Sequence, residues 1–351
     1  MSEIPISAAG RPAFQFRKLL WMLLKFGLAG GIIWYLIAGH AADFHTALRN
    51  FNYYFLIPAG IAYFSHMVVC GWRWYLLAKV IGVPLGLWEA VAVTMQGYFW
   101  SLAIPGGAIG GDFARVAIIA RRVPKGGKAE GVLSILMDRI VGMVALFVLT
   151  ILLVAVSIPQ LMNISIDGVE LSAGLKIVGI IGLVALCFAG IAAMLVLFFH
   201  ESLRRFTVCD RLFIWGDGRT NGMVSRMTAA IDLYAKDWKL LTFLTVVSIF
   251  FIHLMTVVSV AFLVCGVGDG HLPLLAVITA VTIGNIVGLL PLTVSGLGLR
   301  DAAILVLLKA GNMSGETAAT VPIMYSCLIL AFNIFAAVFF VFDGGGKKER
   351  N

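Results

Sequence analysis

Six uninterrupted apolar runs, near 18–39, 53–80, 131–158, 174–199, 240–266 and 321–342, constrain the fold of this chain more than anything else in it. Each can cross the bilayer hydrocarbon as a helix, which takes about 20 residues. In lipid every backbone N–H and C=O must be paired inside the protein, so such runs fold as helices. Composition agrees: 61% of the 351 residues are hydrophobic, 13% are charged, and mean hydropathy is +0.99. A soluble domain is nearer half apolar and a quarter charged, so soluble, disordered, collagen-like and disulfide-stapled classes are excluded. The expected fold class is all-α, a polytopic membrane protein with a single integral membrane domain over 1–351.

Two further apolar stretches, 85–120 and 273–310, are interrupted. The first carries IPGGAIGGD at 104–112, with Pro105, Gly106, Gly107, Gly110 and Gly111; the second carries LPLTVSGLG at 290–298, with Pro291, Gly296 and Gly298. Proline removes a donor and glycine clusters hold a helix poorly. The freed backbone groups must be covered by protein or line a wet cavity.

Basic residues orient the chain. They precede the first run (Arg11, Arg17, Lys18), recur at Arg73, Lys79, Arg121, Arg122, Lys125 and Lys128, crowd 201–239, and end at Lys347, Lys348 and Arg350. Segments 159–173 and 267–272 have none. The positive-inside rule then expects a cytoplasmic N-terminus (1–17), loop (201–239) and tail (343–351) of an inner or plasma-membrane protein. Each broken stretch starts and finishes on one side. That makes them re-entrant hairpins dipping from opposite faces, or, if each crosses twice, brings the count of crossings to ten.

The two hairpins resemble each other. Pro105 precedes Arg115 by ten positions and Pro291 precedes Arg300 by nine, each followed by a short apolar helix. Six full crossings plus two opposed hairpins in an inverted repeat is a transporter-like plan. In the loop, 223–238 puts Met223, Met227, Ile231, Tyr234 and Trp238 on one helical face, which reads as an amphipathic helix on the inner leaflet.

Charges in hydrocarbon cost about 2.5–3.5 kcal/mol each on insertion scales unless paired or hydrated. Six fall at the hairpins or just after the first: Asp112, Arg115, Asp138, Arg139, Arg300 and Asp301. Their opposite signs can simply neutralise one another. Alternatively, three guanidinium forks and the amides at helix N-termini around one cavity suit a phosphate. Lys25 is expected to snorkel and Glu89 to be a solvated helix end. His66 and His253 read as interior hydrogen-bonded residues. The five cysteines read as small hydrophobes. Hydrolase, zinc-protease and nucleotide-loop signatures are absent, so no cofactor or metal is expected.

The ordered set IPGGAIGGDFAR, LMDRIVG and LPLTVSGLGLRDAAI resembles the flippase-like membrane family named for the transmembrane region of lysylphosphatidylglycerol synthase. Pro105, Gly111, Asp112 and Arg115 match its first block, Asp138 and Arg139 its second, and Pro291, Gly296, Gly298, Arg300 and Asp301 its last. An acid often found after the middle arginine is replaced here by Gly142 or Met143, and the late acid is Asp rather than Glu. The resemblance implies a lipid translocase for a phospholipid, aminoacyl-lipid or polyprenyl-linked glycolipid. It implies no aminoacyl transfer, since the soluble synthase domain of two-part members is not in this sequence. The expected partners are a membrane lipid and a lipid-modifying enzyme, not nucleic acid. The alternatives are a membrane subunit of a glycolipid or lipid-modification pathway and a small-solute secondary transporter.

Overall fold

The computed structural model describes residues 49, 51–104, 108–123, 127–166, 169–199, 201, 204–219, 222–268, 271–290 and 298–342. The chain is almost wholly helical there. In order come α1 (Leu56–Val80), α2 (Leu87–Ala103), α3 (Ala108–Arg122), α4 (Lys128–Val156) and α5 (Ala173–Val196). Then follow α6 (Thr207–Arg219), α7 (Met223–Lys236), α8 (Trp238–Val267), α9 (Leu274–Gly288), α10 (Leu299–Ala310) and α11 (Gly315–Phe335). A two-strand ladder, β1 (Ser165–Ile166) against β2 (Val169–Glu170), sits in the Lys/Arg-free loop after α4.

Among the described residues, five helices are long and apolar enough to cross a membrane: Tyr53–Val80, Lys128–Val156, Ala173–Val196, Trp238–Val267 and Gly315–Val338. They correspond to five of the six expected runs; the run at 18–39 lies outside the described residues, as do Lys25, 1–17 and 343–351. The last helix starts at Gly315 and not near 321. The Ser314 hydroxyl accepts from the Thr317 N–H, a capping bond that a hydropathy window does not register. Pro322 is then carried inside the helix. Of the five, Ala173–Val196 has only 6% of its apolar window buried against 39–50% for the others, so α5 stands at the bundle's edge.

The breaks are narrower than expected. Residues 108–112 are helical, so Gly110, Gly111 and Asp112 belong to α3 and not to a loop. The glycines serve packing. A Cβ on Gly111 would lie 2.4 Å from the Gly97 carbonyl oxygen on α2, and one on Gly110 would lie 2.6 Å from that of Ile104. Close backbone approach through small residues is how helices associate where lipid supplies no hydrophobic drive. Helices α9 and α10 pair in the same way, with Gly284 against Ile304. Gly298 opens α10 at φ 84°, a backbone region that favours glycine, and its N–H donates to the Asp301 carboxylate at 2.9 Å. Pro105, Gly106, Gly107, Pro291 and Gly296 lie outside the described residues.

The loop helix also corrects the sequence reading. The apolar face of α7 is turned onto the protein: Ala230, Ile231 and Tyr234 are buried, and Met227 packs with them against residues of α1, α4 and α8. The Tyr234 hydroxyl donates to the Leu77 carbonyl at 2.8 Å. Trp238 belongs to α8 and is exposed. Burial pushes the Tyr234 phenol pKa up. Helix α6 is tied to α7 by Asp217, which accepts from the Ser225 N–H and hydroxyl; these bonds hold its carboxyl below the ordinary carboxylate range. Tyr234→Phe is expected to cost about 1 kcal/mol, the net worth of one hydrogen bond, read as a lowered melting point in detergent. No change would mean the tether is unimportant.

Candidate functional site

Four of the six singled-out charges converge on one network. Asp138, nine residues beyond Ala129 at the start of the buried part of α4, accepts from Arg115 of α3 through Oδ2 at 3.1 Å. Asp112, a turn before Arg115 on α3, accepts from the Arg115 guanidinium at 3.3 Å and from Arg139 Nη2 at 2.8 Å. The adjacent residues Asp138 and Arg139 therefore engage different partners across the α3–α4 contact. Exposure falls inward along the network: 39% for the Arg139 side chain, 18% for Asp112 and 3% for Arg115.

A fifth member was missed in the sequence. Arg73 had been counted as a basic marker of a cytoplasmic end, yet it is buried in α1 and donates from Nε to Asp138 Oδ1 at 2.8 Å. Its Nη1 donates to the Ser248 hydroxyl at 2.9 Å. The only sequence signal was its place seven residues inside the apolar run 53–80, deeper than Lys79. Glu89, expected to be solvated, is half-exposed; it accepts from the Gly86 N–H and pairs with Arg122.

The wall behind Arg73 is a π-helical turn in α8, Ser248–His253. Such widened turns displace carbonyls from the ordinary ladder and recur at functional sites. From this turn Ser248 meets Arg73, the Ile252 carbonyl lies 3.1 Å from His66 Nδ1, and His253 Nε2 lies 3.1 Å from the Gly142 carbonyl. His66 and His253 are thus hydrogen-bonded interior residues, as expected.

Arg300 and Asp301 form a second cluster at the head of α10. The Ser326 hydroxyl of α11 accepts from Arg300 and donates to the Asp301 carboxylate at 2.7–2.8 Å. Asp301 also accepts from Arg300 at 3.3 Å. The structure therefore brings Asp112, Arg115, Asp138 and Arg139 together and places Arg300 with Asp301 separately. Between the clusters runs a line of rings: Tyr325 lies 6.2 Å from Tyr63, Tyr63 is 5.5 Å from His66, and His66 is 6.3 Å from Tyr98.

The two hairpin arginines share a local setting. The Arg115 guanidinium stacks over Trp74 at 4.4 Å and that of Arg300 over Tyr325 at 4.9 Å. The Arg115 stem lies on Gly97 of α2; the Arg300 stem lies on Gly284 and Gly288 of α9. Both are nearly fully buried and keep unmet donors: Nε and Nη2 of Arg115, and Nε of Arg300. A buried N–H without an acceptor is costly, so these edges mark where the described residues leave a hydrogen bond unmade. Among the described residues the first cluster joins three guanidinium groups (Arg73, Arg115, Arg139) to two carboxylates (Asp112, Asp138).

No curated protein and no solved structure matches the chain. A family model described as the lysylphosphatidylglycerol synthase TM region matches residues 22–337, which include both clusters and every described helix up to the end of α11. The chain therefore belongs to the lysylphosphatidylglycerol synthase TM region family.

Proposed function

We propose that this protein is a lipid translocase that binds a phosphate-bearing headgroup at Arg115 and Arg300 while the acyl chains remain in the bilayer. The carrying observation is the pair of buried arginines, Arg115 and Arg300, whose N–H edges have no acceptor among the described residues. A phosphate supplies the acceptor oxygens that these donors lack. Arg139 and Asp112 form the mouth and Arg115 the floor, with Asp112, Asp138 and Asp301 as resident counter-charges.

Lipid is favoured over a small solute by the rim. Ile109 and Phe113 on α3 and Leu136 on α4 are exposed large apolar residues beside Asp112 and Arg139. A charged recess with a greasy border suits an amphiphile entering sideways. The matched settings of Arg115 and Arg300 support an inverted repeat whose hairpins enter from opposite faces, both termini being cytoplasmic. All side chains gathered here bind and neutralise charge, which supports transport and not group transfer.

The test is scrambling of fluorescent phosphatidylglycerol in proteoliposomes, followed by dithionite quenching. The wild-type protein accelerates translocation, and Arg115→Ala and Arg300→Ala each slow it about tenfold, the scale of one or two lost charge-assisted hydrogen bonds. Unaltered rates in both variants would remove the assigned roles.

A further inference from the structure

Arg73 lies one step behind the headgroup recess. Its Nε holds Asp138 Oδ1, while Arg115 holds Asp138 Oδ2. One carboxylate is thus shared between an arginine on the full-length helix α1 and an arginine on the hairpin. Arg73 is fixed from two other sides. Ser248 on the π turn takes Nη1, and Gly142 on α4 leaves room for the guanidinium: a Cβ there would lie 3.0 Å from Nη1 and 3.2 Å from Nη2. Unlike Arg115, none of its nitrogens is a buried donor lacking a partner.

We infer that Arg73 is a positioning residue that holds Asp138 as a pre-neutralised counter-charge, so that Arg115 can be handed from Asp138 to a lipid phosphate and back. The need is electrostatic. If Arg115 turned to a phosphate and left Asp138 alone, the hydrocarbon interior would contain an unpaired carboxylate next to an incoming anion. With Arg73 on Oδ1, Asp138 keeps a partner throughout, and the exchange at Arg115 trades one anionic oxygen for another of similar strength. Weak retention at Arg115 is what a carrier requires, since a headgroup bound too tightly is not released.

This role rests on the headgroup reading, and the experiment separates the two. Purified full-length protein in detergent is titrated with phosphatidylglycerol and, as a phosphate-free comparison, diacylglycerol, with affinity read by native mass spectrometry. Gly142→Val changes no charge but crowds the Arg73 guanidinium off Asp138, freeing Asp138 to claim Arg115. It is expected to weaken phosphatidylglycerol binding about tenfold, the scale of one desolvated charge contact. In an Asp138→Asn background, where no carboxylate competes for Arg115, the same Gly142→Val change is expected to shift affinity less than about threefold.

Equal weakening in both backgrounds would overturn the proposal, because an Arg73 that touches phosphate itself does not depend on Asp138. No weakening in either background would also overturn it. If Gly142→Val does not purify, Arg73→Gln in the same two backgrounds is read by the same criterion, with Arg73→Lys expected to rescue. A wild-type protein that binds phosphatidylglycerol no better than phosphate-free diacylglycerol would instead sink the headgroup reading.

Discussion

Asp138→Ala is expected to be the most destabilising single polar substitution in the protein. It strips two buried guanidinium groups, Arg73 and Arg115, of a shared carboxylate at 2.8 and 3.1 Å. Both arginines are almost wholly enclosed, so water cannot replace the lost partner. Breaking a buried ion pair by removing one member costs about 3–5 kcal/mol, a large share of the stability of most folded domains. Arg115 keeps its 3.3 Å contact to Asp112 and its stacking on Trp74, and Arg73 keeps Ser248. Asp138→Asn retains an acceptor and is expected to cost less, about 1–3 kcal/mol. Thermal unfolding in detergent checks the order. A melting point for Asp138→Ala equal to that of the wild type would mean that the two arginines reach water.

The second large effect is at the first hairpin. Gly111→Val places a Cβ 2.4 Å from the Gly97 carbonyl oxygen and 3.1 Å from its carbon, both backbone atoms of α2. Backbone cannot rotate away as a side chain can, so α2 and α3 must separate along their contact. Overpacking usually costs about 1–3 kcal/mol, and a backbone collision belongs at or above the upper end. The consequence extends to function, because Arg115 sits one turn on from Gly111 with its stem across Gly97. Translocation is expected to fall about a hundredfold, more than for loss of the Arg115 side chain alone, since misplacement by an ångström can cost that much. The matched substitution between α9 and α10, Gly284→Val, meets side chains and not backbone, Ile304 at 2.6 Å and Arg300 at 3.5 Å, and is expected to be milder. Equal scrambling by Gly111→Val and wild type would show that the α2–α3 contact does not position the site.

What could be read from residue order was set by solvent physics. Hydropathy located the helices because lipid forces backbone pairing along a continuous run, and five of the runs stand as long apolar helices. The pairing of Asp112 with Arg115 was legible from a three-residue spacing on one helix. The other charge contacts were not. Arg73 meets Asp138 across 65 positions and Ser248 across 175, distances that only tertiary packing spans. A basic residue near a helix end looks the same in sequence whether it snorkels out or turns inward. The glycines of 110–111 were misleading for a related reason: alone they weaken a helix, but against Gly97 they let two backbones touch. The face of α7 could not be assigned either, because an apolar stripe at helical spacing fits a bilayer or a neighbouring helix equally well.

The central claim is that the spare N–H edges of Arg115 and Arg300 hold a lipid phosphate. The most direct measurement is a cryo-EM map of the full-length protein in nanodiscs of phosphatidylglycerol. Headgroup density is expected within hydrogen-bonding distance of Arg115 Nε and Nη2 or of Arg300 Nε, with acyl density leaving past Ile109, Phe113 and Leu136 where the first site is filled. Lipid confined to the outer surface of the bundle, with both arginine edges dry and unoccupied, would contradict it.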